Sequence, residues 1–330
     1  MNPVPHLAVI GSGIAGLSCA TMLHRAGLEV SLFDKARSPG GRMSTRRGDD
    51  WQCDHGAQYF TARHPEFRAE VARWQQAGVA DLWAPRLWRF DGDSREHRAS
   101  TVERFVGTPA MTAPARYLAS TLSVHAQSNI QQIRREAHGW QVCSAEYGWL
   151  ETRFAAVLLA VPAPQAVPLL HQLAPEVAAL ARSAVMRGCW ALMLRFAAPV
   201  NLSFDAAFVN QGPLRWIARN SSKPGRSGEE IWLLHARAEW SEAHLEDEPE
   251  RVAEALLDAF GQLGGPAPQE WTAHRWRYAD TEPPLEKGCA WRPEIGLGLC
   301  GDWLNGGKVE GAWLSGRALA ERVLRSFVKC

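Results

Sequence analysis

A strand, a glycine-rich turn, a helix and a second strand open this chain of 330 residues. His6–Ile10 is a short, mostly apolar run that is typical of a buried parallel strand. The turn GSGIAG follows it, and we expect a helix from this turn to about Arg25, ended by Gly27. Leu28–Phe33 has the composition of a second buried strand. This order predicts a parallel β-α-β unit, which places the chain in the α/β class.

The glycine spacing in this unit is that of dinucleotide-binding turns. Gly11 permits a tight turn, Gly13 lets a pyrophosphate approach the backbone, and Gly16 lets the helix pack closely on the strand. Asp34 follows the second strand, where its carboxylate can accept hydrogen bonds from a ribose diol. The alternative is a β-α-β packing motif without a ligand, but strand, turn, helix, strand and acid occur here in the required order. The residues predicted to contact the dinucleotide are Gly11, Gly13, Ile14, Ala15, Gly16, Asp34 and Lys35.

A glycine pair follows at the point where a simple NAD domain would start another helix. In Ser38–Met43, the Gly-Gly-Arg turn supplies further backbone donors and a guanidinium near the same pyrophosphate. A solvated basic loop with Arg46 and Arg47 would explain the arginines but not the paired glycines. We therefore predict nucleotide contacts from Gly41, Arg42 and Met43.

Another glycine-rich turn lies near the carboxyl end, in the stretch CGDWLNGGKVEGAWLSGRALAERV, residues 300–323. One acid, Asp302, stands near its start, and a helix is predicted behind the glycines. Taken alone, the stretch also fits an amphipathic terminal helix that follows a loop.

Together these motifs resemble the FAD-binding entry of the flavin amine oxidase superfamily. The resemblance rests on GSGIAG, the acid after the second strand, GGRM, and DHGAQYF at residues 54–60. In that superfamily the carboxyl-terminal stretch completes the same flavin site, so the resemblance implies that Asp302 binds the ribityl chain. It also implies that backbone N–H groups near Gly311 and Ala312 face the pyrimidine edge, where a helix N-terminus stabilises anionic reduced flavin. The other FAD contacts that it implies are His55, Gly56, Ala57, Ile130, Val309 and Glu310.

The composition limits the classes of function. Lys plus Arg number 36 and Asp plus Glu number 35, so the net charge of +1 gives no general attraction to nucleic acid or to anionic lipid. The seven cysteines are scattered, without a CxxC or Cys/His cluster, so we predict neither a metal site nor a disulfide framework. A reducing cytoplasm fits this cysteine usage best. No targeting or transmembrane segment is predicted, because the uncharged runs are short or broken by prolines.

If both chain ends build one FAD site, the nucleotide domain is discontinuous. We expect an α/β fold in which a Rossmann-type FAD-binding domain comprises residues 1–65, 107–165 and 286–330. A second, α+β substrate domain, built on a mixed or antiparallel sheet, would comprise residues 66–106 and 166–285. The elements predicted between the chain ends are strands at Asn129–Ile133, Phe154–Ala160, Cys189–Phe196, Leu214–Arg219, Ile231–Arg237 and Glu270–Tyr278, and helices at Pro164–Leu173 and Pro249–Gln262.

Several stretches are similar to the renalases, especially the bacterial ones, and this resemblance covers essentially the whole chain. It implies oxidation of the 2-dihydro and 6-dihydro isomers of NAD(P)H, in which non-covalent FAD takes a hydride and passes two electrons to O₂, giving NAD(P)⁺ and hydrogen peroxide. The first alternative is a flavin amine oxidase acting on a small primary or secondary amine, and the second is a non-enzymatic FAD-binding redox sensor. We expect a monomer or a weak homodimer. The stretches are DHGAQYFTAR (54–63), VGTPAMTAPARYLA (106–119), RWIARNSSKPGR (215–226), WLLHARAEWS (232–241) and HRWRYA (274–279).

This chemistry requires positioning more than a strong base, because the lone pair of a dihydropyridine already expels hydride. The protein must stack the ring over the flavin, exclude water and orient the carboxamide. The predicted catalytic-site residues are Gln58, Tyr59, His235 and Trp291. For the two aromatic residues the alternative is core packing, and for His235 it is a hydrogen-bonded core histidine.

A polar loop is predicted to contact the substrate. Asn220, Ser222 and Lys223 lie in it beside Arg226. Since a dinucleotide carries two phosphates that Lys and Arg can pair, we expect a phosphate or ribose contact there. The alternative is a solvated turn between two strands.

Overall fold

Residues 4–92, 94–97 and 99–327 are described by a computed structural model of the chain. The strands are β1 His6–Ile10, β2 Glu29–Phe33, β3 Thr45–Arg47, β4 Gln52–Asp54, β5 Ala80–Leu82, β6 Leu87–Asp91, β7 Ser94–His97, β8 Phe105–Gly107, β9 Ser123–His125, β10 Ile130–Glu136, β11 Gly139–Ser144, β12 Gly148–Trp149, β13 Ala156–Leu159, β14 Met186–Phe196, β15 Ala206–Val209, β16 Leu214–Arg219, β17 Glu230–Ala236, β18 Glu270–Thr281, β19 Ala290–Arg292 and β20 Leu297–Leu299. The α-helices are α1 Ile14–Arg25, α2 Pro65–Gln76, α3 Ala113–Ala119, α4 Ala163–Leu170, α5 Pro175–Arg182, α6 Ala238–Ala243, α7 Pro249–Gln262 and α8 Lys308–Phe327, and two short 3-10 helices span Asn220–Ser222 and Asp302–Leu304.

The first sheet has six strands in the order β19-β20-β13-β1-β2-β9. Strands β20, β13, β1, β2 and β9 run parallel, and β19 pairs with β20 in the antiparallel sense. The buried residues of β1 and β13 are apolar without polar alternation, as expected for strands covered on both faces. Strands from the start, middle and end of the chain therefore build one sheet, and the predicted α/β class is confirmed.

Helices α1 and α8 pack against each other on this sheet, although they lie at opposite ends of the chain. Ser18 Oγ donates a hydrogen bond to the backbone oxygen of Trp313 at 2.8 Å. A Cβ at Gly316 would lie 2.1 Å from the backbone oxygen of Ala15, so only glycine allows the helices to approach this closely. The two chain ends thus share one core.

The second sheet has seven strands in the order β18-β14-β17-β16-β15-β6-β7 and is antiparallel except where β15 pairs with β6. Helix α7 covers its outer face, where Val252, Leu256 and Phe260 pack with Trp232 in one buried cluster. The sequence predicts the bounds of α7 and of β16, but not strands β6, β7 and β15. These strands are short or mostly polar, and they are recognisable only through their pairing partners.

The predicted strand near Ile130 does not join the parallel sheet. It forms a separate three-stranded antiparallel sheet, β10-β11-β12. The assignment of chain segments to two domains stays a prediction, although β6 and β7 do join the sheet built by residues 186–281. Among the described helices, none is long and apolar enough to span a bilayer.

Candidate functional site

A group of glycines lies where β1 meets α1, and we call Gly11, Gly13, Gly16, Gly40 and Gly41 the glycine cradle. Gly11 has φ +105°, and a Cβ there would lie 2.5 Å from the backbone oxygen of Ala160. At Gly13, the N-cap of α1, no side chain caps the helix, and a Cβ would meet nothing within 4 Å. The start of α1 therefore has no side-chain cap and has open space beside Gly13, which is the arrangement that binds a phosphate at a helix N-terminus.

Asp34 lies at the end of β2, next to the cradle. Its Oδ2 accepts hydrogen bonds from the backbone nitrogen and the Oγ of Ser12, both at 2.6 Å. Its backbone oxygen accepts from Ser128, and this bond places the segment before Ile130 beside Asp34. The neighbouring side chain, Lys35, is exposed. The structure thus brings Asp34 and the Ile130 segment together, as the nucleotide prediction requires.

The arginine of the Gly-Gly-Arg turn forms an ion pair with the acid of the carboxyl-terminal motif. Arg42 Nη1 donates to Asp302 Oδ2 at 2.9 Å and to the backbone oxygen of Ala279 at 3.2 Å, and Nη2 bonds Asp302 Oδ1. Burial opposes the guanidinium charge, but Asp302 more than offsets it, so the pKa of Arg42 is raised. This pair joins both chain ends to β18.

The turn after β4 stacks on the Gly-Gly-Arg turn. The backbone nitrogen of Ala57 donates to the backbone oxygen of Arg42 at 2.8 Å. A Cβ at Gly56 would lie 2.0 Å from that oxygen, so residue 56 must be glycine for the turns to approach. Met43 is buried in the core beneath them.

The start of α8 is an unusual turn. Gly306, Gly307 and Lys308 have φ of 70°, 69° and 64°, and a Cβ at Gly311 would lie 2.0 Å from the backbone oxygen of Asn305. Lys308 is the non-glycine member of this left-handed run, a conformation that is costly for most side chains. Val309 and Ala312, on the first turn of the helix, are partly buried against the same core as α1.

Glu310 has another role than the predicted contact to FAD. Its Oε1 accepts hydrogen bonds from the backbone nitrogens of Arg63 at 2.7 Å and His64 at 2.6 Å. His64 is the N-cap of α2. The carboxylate is therefore engaged at the amino end of α2, where a negative charge is favoured, and we leave this side chain out of the proposed FAD site.

A buried ion network links β4 to the loop after β16. Asp54 Oδ2 lies 3.1 Å from Lys223 Nζ and also binds Arg226, and all three side chains are almost fully buried. Burial opposes the Asp54 charge, but the two cations outweigh it and lower the pKa of Asp54 to about 2. Burial and the neighbouring Arg226 lower the pKa of Lys223, even though Asp54 stabilises its charge. One carboxylate thus serves two cations.

This network corrects the prediction of a phosphate contact at Lys223. Its ammonium is inaccessible and already paired with Asp54 and with Gln58 Oε1, at 3.2 Å. Asn220 bridges the backbone of Gln52 and Asp54 through its amide, with both distances 3.2 Å. Ser222 Oγ donates to the backbone oxygen of Arg219 and accepts from Trp83 Nε1. In the polar loop, Asn220 and Lys223 are buried and join the loop to β4, so these residues do not form a solvated turn.

Three histidines lie together beside this network. His235 Nε2 bonds the backbone oxygen of His55 at 3.0 Å, and the His55 ring contacts His274 edge-on, with centroids 4.7 Å apart. Trp276 stacks on His55 at 5.1 Å and donates to the same backbone oxygen. Burial first, and then the charges of His274 and Arg46, lower the pKa of His55 to about 3.

Burial also lowers the pKa values of the other two histidines. Burial lowers the pKa of His235 to about 4, and burial together with Arg46 lowers the pKa of His274. Since His235 Nε2 faces a backbone oxygen, its proton lies on Nε2 and its Nδ1 is an acceptor. His55 Nδ1 is buried without a hydrogen-bond partner among the described residues.

The other predicted catalytic-site residues separate into two places. Gln58 is buried, with its amide nitrogen donating to the backbone oxygens of Asp54 and Gly56. Tyr59 lies against Trp216 at 5.5 Å. Trp291 does not join them.

Trp291 lies on β19, donates to Ser326 Oγ at 3.0 Å and packs on Phe327. Ser326 lies at the far end of α8, and the rise of an α-helix puts it about 27 Å from Lys308. Trp291 therefore lies near the carboxyl end of α8, away from the glycine turn at its start.

Cross-strand register assembles one face of the second sheet over this region. His274, Ala191, His235, Trp216, Phe208 and Arg89 are direct partners on successive strands from β18 to β6. Direct partners point to the same side of a sheet. We call this row the inner face.

Sequence reasoning missed Asp54, Trp276 and Trp216 as site residues. Asp54 directly precedes His55 in the DHGAQYF stretch, and its two cations, Lys223 and Arg226, lie in one loop. An acid inside that stretch and two basic residues in one loop were the sequence signals that could have indicated this ion network. Trp276 alternates with two arginines on β18, which puts it on the opposite side of the strand from them. The position of Trp216 depends on pairing with β15 and β17, and no local signal indicates it.

The residues described here fit FAD. The uncapped N-terminus of α1 and the open space at Gly13 suit the pyrophosphate, and Asp34 suits the ribose diol. Buried polar atoms without a partner among the described residues border the cradle and the turn after β4, and they are Ser44 Oγ, His55 Nδ1 and Thr112 Oγ1. Within the described residues, no cluster of His, Cys, Asp or Glu is suited to hold a metal ion.

Comparison with known proteins gives two family matches. Residues 70–324 match the family described as flavin containing amine oxidoreductase, and residues 9–74 match the NAD(P)-binding Rossmann-like domain. The chain is 28% identical to the tRNA 5-methylaminomethyl-2-thiouridine biosynthesis bifunctional protein MnmC of Magnetococcus marinus, over 88% of this chain and 49% of that protein. It thus spans about half the length of this relative. A shorter match, 46% identical, covers 17% of the chain and 11% of a hydroxyneurosporene desaturase from Rubrivivax gelatinosus.

Solved structures with the same fold cover nearly the whole chain. A putative protoporphyrinogen oxidase from Exiguobacterium sp. 255-15 has a TM-score of 0.76 at 13% identity, over 97% of this chain and 99% of its own. A putrescine oxidase bound to putrescine has a TM-score of 0.74 at 12% identity, over 98% and 99%. At these identities the likeness concerns the fold.

Proposed function

The chain belongs to the flavin containing amine oxidoreductases, with FAD as its cofactor, and we propose that it oxidises the 2-dihydro and 6-dihydro isomers of NAD(P)H with O₂. Bound FAD supplies a two-electron acceptor that O₂ can reoxidise. In the balanced reaction, the isomer loses a hydride and becomes NAD(P)⁺, while O₂ takes up the two electrons, that hydrogen and a further proton to give hydrogen peroxide.

The observation on which this proposal rests is that two imidazoles are held neutral, that of His235 on the inner face and that of His55, whose backbone oxygen contacts His235. His55 and His235 have pKa values of about 3 and about 4, so neither is a cation at neutral pH. The dihydropyridine becomes a pyridinium as it loses hydride, and a neighbouring imidazolium would oppose that positive charge. Neutral imidazoles do not.

Each residue in this arrangement has a positioning role. His235 Nδ1 can accept a hydrogen bond from the substrate carboxamide, because only its Nε2 has a partner among the described residues. Trp276 and His274 fix the His55 ring by aromatic contact, with their own centroids 4.4 Å apart. Gln58 is locked by three hydrogen bonds and closes the site against water on the side of the ion network.

Oxidation of a small amine is the second candidate. It is favoured by the aromatic pair Tyr59 and Trp216, whose rings are tilted by 51° with centroids 5.5 Å apart, because paired aromatic rings can frame an amine. Against it, Tyr59 already has Arg104 over its ring at 5.2 Å, and that guanidinium would repel an ammonium group.

Anaerobic mixing of the flavin-loaded protein with three reductants tests the proposal. The dihydronicotinamide isomers should bleach the oxidised flavin band rapidly, while ordinary NADH and a panel of amines should not. H235A should slow bleaching by the isomers by about tenfold, the effect of losing one positioning hydrogen bond in the transition state. Bleaching by amines alone would replace this proposal with the second candidate.

A further inference from the structure

A pocket of about 400 Å³ opens at the end of the inner face, away from the histidines. Its wall combines an apolar floor, Leu87 and Phe208, with two cations, Arg89 and Arg104. Ser100, Asn210 and Ala99 complete the lining. We propose that this pocket binds the anionic phosphate of the substrate whose reacting ring lies at His55 and His235.

One polar group around the pocket has unused donors. Arg104 lines the pocket, and among the described residues only its Nη1 has hydrogen-bond partners, so Nη2 has no partner there. A ligand that pairs with an unused guanidinium donor is an acceptor, and an anionic acceptor gives the stronger, charge-assisted bond.

The charge of the pocket is positive because Arg104 is not neutralised. Its Nη1 donates to Ser100 Oγ at 2.9 Å and to the backbone oxygen of Val102 at 3.0 Å, and neither partner is a carboxylate. The adjacent acid, Glu103, pairs with Arg68 instead. Within the described residues, Arg104 has no ion pair.

Arg89 is compensated to a greater extent. It pairs with Asp91 at 2.9 Å, and Glu96 lies directly opposite it on β7. With the amide of Asn210 turned so that its oxygen faces the guanidinium, Asn210 accepts from Nε and Nη2 at 3.0 Å each. Arg89 is therefore a fixed second donor at the rim, and Arg104 supplies the excess charge.

The spacing fits a nucleotide. From His235 to Arg89 the inner face crosses β17, β16, β15 and β6, three steps of ~4.8 Å, or about 14 Å. A ring at His235 that is joined through ribose to a phosphate or pyrophosphate can span this distance. A small amine cannot reach both ends. The structure thus assigns phosphate recognition to Arg104, and not to Lys223 as the sequence predicts.

The test measures equilibrium binding to the oxidised, FAD-loaded protein by tryptophan quenching, so it needs no turnover. NAD⁺, nicotinamide mononucleotide and nicotinamide riboside serve as probes, with inorganic pyrophosphate as a competitor. We expect the two phosphate-bearing probes to bind at least about tenfold more tightly than the riboside, as one charge-assisted contact allows. Pyrophosphate should displace them, and added salt should weaken them more than the riboside.

The variants separate recognition from folding. R104Q should abolish the advantage of the phosphate, R104K should restore part of it, and R89Q should reduce it by a smaller factor. R68Q removes an exposed arginine bound to the same loop and should leave the advantage intact, with melting temperatures measured for all four. Equal binding of riboside and mononucleotide by the wild type, or an undiminished advantage in both R104Q and R89Q, would overturn the inference.

The inference rests on the proposed function for the position of the reacting ring, but the two fail separately. If the dihydro isomers do not bleach the flavin while R104Q abolishes phosphate selectivity, the phosphate pocket stands and the proposed reaction does not. If the isomers bleach the flavin and phosphate selectivity is absent, the proposed reaction stands and the phosphate pocket does not.

Discussion

The glycine cradle and the inner face are built in different ways. The cradle is made of backbone: no side chain caps α1 at Gly13, and Gly16 lets the helix approach the backbone oxygen of Gly11. The inner face uses side chains that come from six strands and meet only through pairing. A backbone site tolerates no added atom, whereas a side-chain site can change its selectivity by one substitution.

The ion network around Asp54 joins the two regions, and its loss is the largest expected effect. D54N leaves Lys223 and Arg226 as buried cations without a carboxylate, and we expect a loss of about 3–5 kcal/mol in the free energy of unfolding. Urea denaturation measures it.

K223M supplies the contrast. It removes the cation whose charge burial opposes and leaves the Asp54–Arg226 pair, so the loss should be about 1–2 kcal/mol. E246Q, at an exposed ion pair, is the control and should cost less than about 1 kcal/mol. If K223M costs as much as D54N, the network is not governed by an excess of positive charge.

G13A should separate the cradle from the fold. A Cβ at Gly13 meets no protein atom, so the apoprotein should fold, while the methyl group occupies the path of the pyrophosphate. We expect FAD affinity to fall about a hundredfold, ~2.7 kcal/mol, measured by fluorescence titration. G261A, on α7 where a Cβ also meets nothing, should bind FAD like the wild type. Unchanged FAD binding in G13A would mean that the cradle does not hold the phosphates.

The stability of the protein, measured as a function of pH, should test whether His235 on the inner face and His55 beside it are neutral. The native pKa values of His55 and His235 are about 3 and about 4, below the ordinary value of 6.5, so the unfolded chain binds more protons below pH 6.5. Stability should therefore fall as the pH drops from 6.5 towards 4, by about 1.4 kcal/mol per pH unit for each group.

H235Q should remove one histidine's share of that slope, as followed by urea denaturation between pH 7 and 4.5. H138Q, at an exposed histidine, should keep the wild-type slope. An H235Q slope equal to that of the wild type would contradict a buried neutral imidazole at this position.

The smallest effect is expected at Trp291, which lies outside both regions. W291F should change the rate of flavin bleaching by less than about twofold, ~0.4 kcal/mol, in the stopped-flow assay. A tenfold slower rate would show that Trp291 contributes to the reaction.

The comparison also explains what the sequence predicts well. Glycines at fixed spacings dictate backbone geometry locally, so GSGIAG and the bounds of α1 and α7 follow from the sequence. The partners of Lys223 do not, because its ammonium meets Asp54 169 residues away. The sequence does not indicate a ligand-binding role for Arg104, because an arginine in a polar loop is expected to be solvated. Only the pairing of β6 with β15 brings the pocket lining together around it.

The central claim is that both chain ends enclose one FAD, and the FAD content of G311A tests it most directly. A Cβ at Gly311 would lie 2.0 Å from the backbone oxygen of Asn305, so the start of α8 must move away from the cradle. Absorbance after desalting should show equimolar FAD in the wild type and in G261A, and a small fraction of that in a folded G311A. Equimolar FAD in G311A, or a wild-type protein that stays colourless after FAD is added, would contradict the claim.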